Sequence, residues 1–237
     1  MRDYFLEPAQ TNLELYRQAV EHGYDRHERQ RLAEAYQFAL RQVFPLARGS
    51  GKPFIAHLVG TASLTLASDR PSDWVTAALM HALYQRRIPF RDGLSPAERR
   101  LLVAERFGAD VDELIQRYTD LESRDLSELL AEQFDDNVDV VTLRLADELE
   151  DLGGHAFALY GTSSDEHTRG GSRWRRDAKV EQGPALLELA RRLGLDGIGQ
   201  GLAYWLDSSA TPDGLEDMRT GWFSSVNLAT EAYSRDD

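Results

Sequence analysis

The sequence predicts an all-α protein. Apolar residues recur at spacings of three and four in segment after segment, as one face of a helix requires. Helix-start signatures precede several of these segments, and no stretch shows a convincing alternation of period two.

Asp25-Arg26-His27-Glu28 reads as a capping box, in which an aspartate and a glutamate three residues on satisfy each other's free backbone N–H groups. It opens a long amphipathic segment to about Phe44, with Leu32, Ala35, Tyr36, Ala39 and Val43 on one face. Pro45 ends it, and residues 48–53 form a turn-rich loop. A second, apolar helix is expected over residues 54–67. Pro71-Ser72 starts a third that runs through Trp74, Ala77 and Ala78 to His81. Residues 86–94 read as a polar loop. Ser95-Pro96-Ala97-Glu98 then combines a cap, a proline at the first helical position and a glutamate three after the cap, opening a helix to about Phe107-Gly108.

Further helices fit residues 110–122, 127–134 and 137–152, the last carrying Val138, Val141, Leu145, Ala146 and Leu149 at helical spacing. Residues 153–179 have loop composition, with Arg169, Arg173, Arg175, Arg176 and Lys179 gathered around Trp174. Basic residues beside Gly170-Gly171 are expected to form a solvated loop rather than a lid over an anion. Two more helices are expected over 184–193 and 199–206. The organisation that follows is a helical core over residues 1–152, with residues 153–237 a loop and a C-terminal helical extension packed on it.

The absence of cysteine excludes disulfides, thiolate metal sites and a cysteine nucleophile. A formal net charge of −13 argues against a broad DNA-binding or anionic-membrane surface, since both partners would be repelled at long range. A small phosphorylated ligand held by a few local arginines is compatible with it. The start, Met1-Arg2-Asp3-Tyr4, has no basic segment followed by a long apolar run, so a soluble cytoplasmic protein is the expectation. Oligomerisation is left open.

Three polar residues sit in apolar helical patterns, namely His57 in Phe54-Ile55-Ala56-His57, His81 in Ala78-Leu79-Met80-His81, and Asp147 in Leu143-Arg144-Leu145-Ala146-Asp147. Buried polar side chains need partners, and one divalent cation would satisfy all three. Two histidines and a carboxylate can hold zinc, manganese or iron(II) and leave positions open for water, substrate or oxygen. The bland alternative is that each histidine bonds a backbone carbonyl and Asp147 pairs with an arginine.

At these residues the sequence resembles the HD superfamily of helical metal-dependent phosphohydrolases, most nearly the hydrolase domain of RelA/SpoT-type enzymes, which remove pyrophosphate from guanosine tetraphosphate. The likeness rests on Arg48-Gly49-Ser50-Gly51-Lys52-Pro53-Phe54-Ile55-Ala56-His57, Ala77-Ala78-Leu79-Met80-His81, Phe107-Gly108-Ala109-Asp110-Val111 and Leu145-Ala146-Asp147-Glu148-Leu149. It covers about residues 33–152 and implies an HD-domain-like helical bundle with His57, His81 and Asp147 as metal ligands. His81-Ala82-Leu83-Tyr84 also resembles an HD-like group with a tyrosine two or three positions after the second histidine.

The chain departs from the family at several positions. Ala82 replaces the aspartate that follows the second histidine, Gln85 and Arg86 replace a Glu-Asp pair that supports water activation, and Asp151 replaces an asparagine. Gln85 accepts no proton at neutral pH, and Arg86 inverts the local charge. Arg86 therefore suits a site that binds an anion rather than a second metal. The resemblance implies that Arg48 packs on a planar or phosphorylated ligand, with Lys52, Arg86 and Arg87 completing a cationic rim unless they are solvated.

Asp151 lies four residues after Asp147 on the same helix face and could orient a histidine, add a ligand or accept a proton. Charge patterning favours instead that Glu148, Glu150 and Asp151 are solvated acids. Tyr84 is a candidate hydrogen-bond donor to substrate, or a core residue. His22, His27, His155 and His167 are expected on the surface or in loops. The expectation is a metal-dependent hydrolase with an altered site, acting on a small anionic or nucleotide-like molecule. A mononuclear non-haem iron enzyme and a non-catalytic binding derivative are the alternatives.

Overall fold

A computed structural model describes residues 2–48, 52–85, 88, 90, 93–122, 124–131, 137–153 and 176–207. The described residues are helical with no strand, and Ala47 and Pro53 form an isolated antiparallel bridge. The helices are α1 Asn12–Glu21, α2 Arg26–Val43, α3 Phe54–Ala67, α4 Ser72–Ala78, α5 Pro96–Phe107, α6 Ala109–Glu122, α7 Leu126–Ala131, α8 Val138–Gly153, α9 Arg176–Arg192 and α10 Asp196–Asp207. None is long and apolar enough to cross a membrane.

The capping boxes at Asp25/Glu28 and Ser95/Glu98 form as expected, with Pro96 in the first turn of α5. A third box, Thr11 with Glu14, opens α1, a helix not among the expected elements although its start signature is of the same kind. Helix α5 stops at Gly108, whose φ of +94° is a conformation that side chains other than glycine's avoid. The chain can then turn directly into α6.

Helices α3 and α8 pack against each other at the centre. From Phe54 to Leu66, α3 is buried on nearly every side, as a helix apolar all round must be. Residues 140–153 of α8 are all buried. Helices α4 and α6 cover one side of this pair and α1 and α2 lie against α3, where Gln18 Nε2 donates to Ser63 O and Ser63 Oγ donates to Gln18 Oε1. On the far side α9 and α10 pack on α7 and α8, with Gly201 making room for Leu149 and the Phe5 carbonyl.

Two expected boundaries move. The helix expected to reach His81 ends at Ala78, and the chain continues in tight turns, Met80 N–H to Ala77 O and Leu83 N–H to Met80 O, both 2.9 Å. The helix expected from residue 184 already runs from Arg176 and carries Pro184 within it. Helix α7 is described as far as Ala131, and the rest of the helix expected there, like most of the basic loop with His155 and His167, falls outside the described residues. His22 and His27 are on the surface, as expected.

Candidate metal centre

Phe54 opens α3, so His57 lies one turn in, on the face toward α8. His81 follows the end of α4, and Asp147 lies midway along α8. Their ligand atoms converge. His57 Nε2 is 3.3 Å from His81 Nε2 and 3.1 Å from Asp147 Oδ1, and His81 Nε2 is 3.6 Å from the same oxygen. These separations place one point about 1.9 Å from all three atoms, close to the usual zinc–imidazole length of about 2.0–2.1 Å, so the three residues would hold one ion between them.

The outer groups fix which face each ring presents. His81 Nδ1–H donates to the Ala78 carbonyl at 2.7 Å, where the helix has just ended. His57 Nδ1–H donates to Glu150 Oε2 at 2.6 Å. Both Nε2 atoms are thereby turned inward, the ring orientation that metal-bound histidines show. Tyr118 O–H donates to Asp147 Oδ2 at 2.6 Å and leaves Oδ1 toward the rings, where it is buried and accepts no hydrogen bond. An orphaned carboxylate oxygen beside two imidazole nitrogens is costly unless a cation or a proton joins them. Among the described residues this is a group that could hold a metal ion.

The electrostatics agree. Burial pushes His81 down to about 4, against the pull of Asp147, so this ring is neutral. Burial and the Arg48 guanidinium lower His57, but Glu150 and Asp147 outweigh them and raise it overall. Burial alone would raise Asp147, yet the two histidines and Arg48 hold it well below the usual carboxylate range. Burial and Asp147 keep the Tyr118 phenol protonated.

His57, Glu150 and Asp151 also lie close enough to share an ion. That position is already neutralised by protein cations: Lys52 Nζ contacts Glu150 Oε1, and Arg48 NH2 donates to both oxygens of Asp151 at 2.7 and 2.8 Å. This second group surrounds the first rather than making another site.

The two basic residues arrive together. Arg48 N–H donates to Lys52 O and Phe54 N–H to Leu46 O, so residues 46–48 pair with residues 52–54 at the start of α3. Arg48 NH1 lies 3.0 Å from His57 Nε2, with the guanidinium 5.4 Å from the Phe54 ring centre. This N–H uses the lone pair that an ion would need, so Arg48 NH1 would have to give up the contact for His57 to serve as a ligand.

Of the other expected site residues, Tyr84 O–H donates to Asp112 at 2.8 Å on α6, away from the cluster. Arg86 and Arg87 lie outside the described residues. Lys52, read as a rim residue or solvated, is instead buried against Glu150. Ala82 is fully buried among apolar residues and offers no ligand. Glu148, Glu150 and Asp151 are not solvated: all three are buried, Glu148 against Arg144 at 2.5 Å.

Glu150 and Tyr118 were not expected at the site. The spacing of Glu150, three after Asp147, places it on the same helix face, whereas no local signal marks Tyr118. Gly60 is part of the same arrangement, because a Cβ there would stand 2.5 Å from Glu150 Oε1. Gly60→Ala is expected to displace that carboxylate and lower stability by about 1–3 kcal/mol, read as a fall in the urea midpoint. An unchanged midpoint would show that α3 and α8 simply move apart.

Scanned against protein-family models the chain matches none, and a search of curated proteins finds no match.

Proposed function

We propose that the protein is a hydrolase dependent on one divalent metal ion, acting on a small phosphorylated or nucleotide-like molecule at an HD-like site that lacks the second-metal ligands. The observation that carries this is the convergence of two inward-facing Nε2 atoms on a buried Asp147 Oδ1 that accepts no hydrogen bond. The motif likeness over residues 33–152 supports it, since it assigns metal-ligand roles to the same three residues.

Charge supports the substrate class. Arg48 and Lys52 offset two of the three carboxylates Asp147, Glu150 and Asp151. One negative charge remains, and a divalent cation turns it into one positive charge, which suits an anion. A bound ion of this kind lowers the pKa of its water and supplies hydroxide near neutral pH.

The protein residues supply position. His57, His81 and Asp147 would hold the ion, Tyr118 orients Asp147, and Asp151 holds Arg48 beside His57 and Phe54. With both oxygens on the guanidinium, Asp151 serves better as an anchor than as a base.

The test is reconstitution with Mn(II), Fe(II) or Zn(II), metal counting per chain, and release of phosphate or pyrophosphate from a nucleotide panel. One metal per chain and a release that His81→Ala abolishes are expected. A chain that takes up no metal would be a non-catalytic derivative. The donor set is also that of mononuclear iron oxygenases, and oxygen consumption with Fe(II) in place of phosphate release would assign the site to that class.

A further inference from the structure

We infer that the buried Lys52–Glu150 pair is a positioning device for His57, holding it as the Nδ1–H tautomer and strengthening its Nε2 as a metal donor where position 82 supplies no fourth ligand. The inference rests on the metal reading above and adds two residues to it.

Both groups of the pair are withdrawn from water, Lys52 being 1% exposed and the Glu150 side chain 0%. Such a pair is weak evidence of stabilisation, since desolvation offsets most of the attraction and apolar residues of equal volume often do as well. The local geometry shows a different use for it. One Glu150 oxygen takes Lys52 and the other takes His57 Nδ1–H at 2.6 Å, so the carboxylate is aligned by an ammonium on one side and aligns an imidazole on the other.

Gly60 faces Glu150 across the α3–α8 contact at a distance no side chain would permit, so the helices meet closely where the carboxylate lies. Asp151, the other acid near Nδ1, is 3.5 Å away and taken by Arg48. Glu150 is therefore the acceptor for Nδ1–H, and Arg48 NH1, 3.0 Å from Nε2, favours the same tautomer from the other side of the ring. A carboxylate behind a ligand histidine also raises the basicity of the coordinating nitrogen. The lysine holds the other oxygen of that carboxylate in place from the side away from Nε2.

Removing one member would leave the other charge buried alone, so the test removes both. In Lys52→Met/Glu150→Leu the fold is expected to persist by circular dichroism and melting, and zinc affinity to fall about 10–100-fold, the range for losing an outer-shell partner. In the metal-free protein, at a pH high enough that the His57 ring is neutral, its ¹⁵N signals are expected to show less of the Nδ1–H tautomer than in wild type. Lys52→Met/Glu150→Gln retains an uncharged acceptor and is expected to restore the tautomer but only part of the affinity.

Wild-type affinity in the folded Leu variant, with the tautomer unchanged, overturns the inference and leaves the metal reading intact. Should the wild type bind no zinc, the metal reading fails by itself. The ¹⁵N spectra then decide the positioning role: less of the Nδ1–H tautomer in the Leu variant supports it, and an unchanged spectrum overturns it.

Discussion

Asp147→Asn is expected to remove metal-linked stabilisation while leaving the metal-free fold almost untouched. The wild type, at a metal concentration about 100 times its Kd, gains about 2.7 kcal/mol from binding. For a chain of this size that is a rise in Tm of roughly 5–10 °C. Asparagine keeps the shape and an oxygen for Tyr118, but it withdraws the charged oxygen that stands 3.1 Å and 3.6 Å from the two Nε2 atoms. Losing a direct ligand weakens binding at least as much as losing an outer-shell partner, so a factor of about 100 or more is expected. At the same metal concentration the gain then falls to about 0.4 kcal/mol or less. Without metal, the asparagine NH₂ faces an imidazole lone pair, and stability should stay within about 1 kcal/mol of wild type. Melting curves with and without metal check both halves. An Asn variant that keeps the full metal shift would show that the ion is held elsewhere.

Much of the helical frame was legible in the sequence because its punctuation is chemical and local. Asp25 with Glu28 and Ser95-Pro96 with Glu98 mark starts that the backbone obeys, and Gly108 marks a stop. Thr11 with Glu14 is the same signal at α1. The three residues that could hold an ion were legible because each interrupts an apolar pattern. The acids that follow Asp147 are where the local pattern misleads. A run of Glu148, Glu150 and Asp151 looks like a solvated face, and only cations distant in sequence show otherwise. Lys52 and Arg48 approach from about 100 residues earlier and take Glu150 and Asp151, while Arg144 takes Glu148 one helical turn away. The turn at His81 was equally hidden. The apolar run through Ala77 to Met80 reads as continuous helix, yet ending the helix at Ala78 places that carbonyl where His81 Nδ1–H donates to it.

Acid is expected to destabilise the metal-free protein over a window set by His81. Burial holds this ring at about 4, whereas an unfolded chain titrates near 6.5. Between those values the unfolded chain binds the additional proton, so stability is fully present above about pH 6.5 and is lost as pH falls toward 4. The loss is on the order of 3 kcal/mol for this one buried group. Asp147, also depressed, acts in the same direction but only below about pH 4, where its unfolded counterpart takes up a proton. His57 is raised and has the opposite sign: its contribution is present below about 6.5 and is lost as pH rises through its folded value. Metal-free stability should therefore peak near neutrality and fall on the acid side. Urea midpoints from pH 7 to pH 4 measure this, and His81→Asn, which has nothing to titrate there, should flatten the acid limb. With zinc present the acid limb should steepen, because protons and metal compete for the same Nε2 atoms and the ion leaves as they bind. An acid limb identical in wild type and His81→Asn would mean that the ring is not held neutral between α3 and α8, and the geometry of the centre would have to be redrawn.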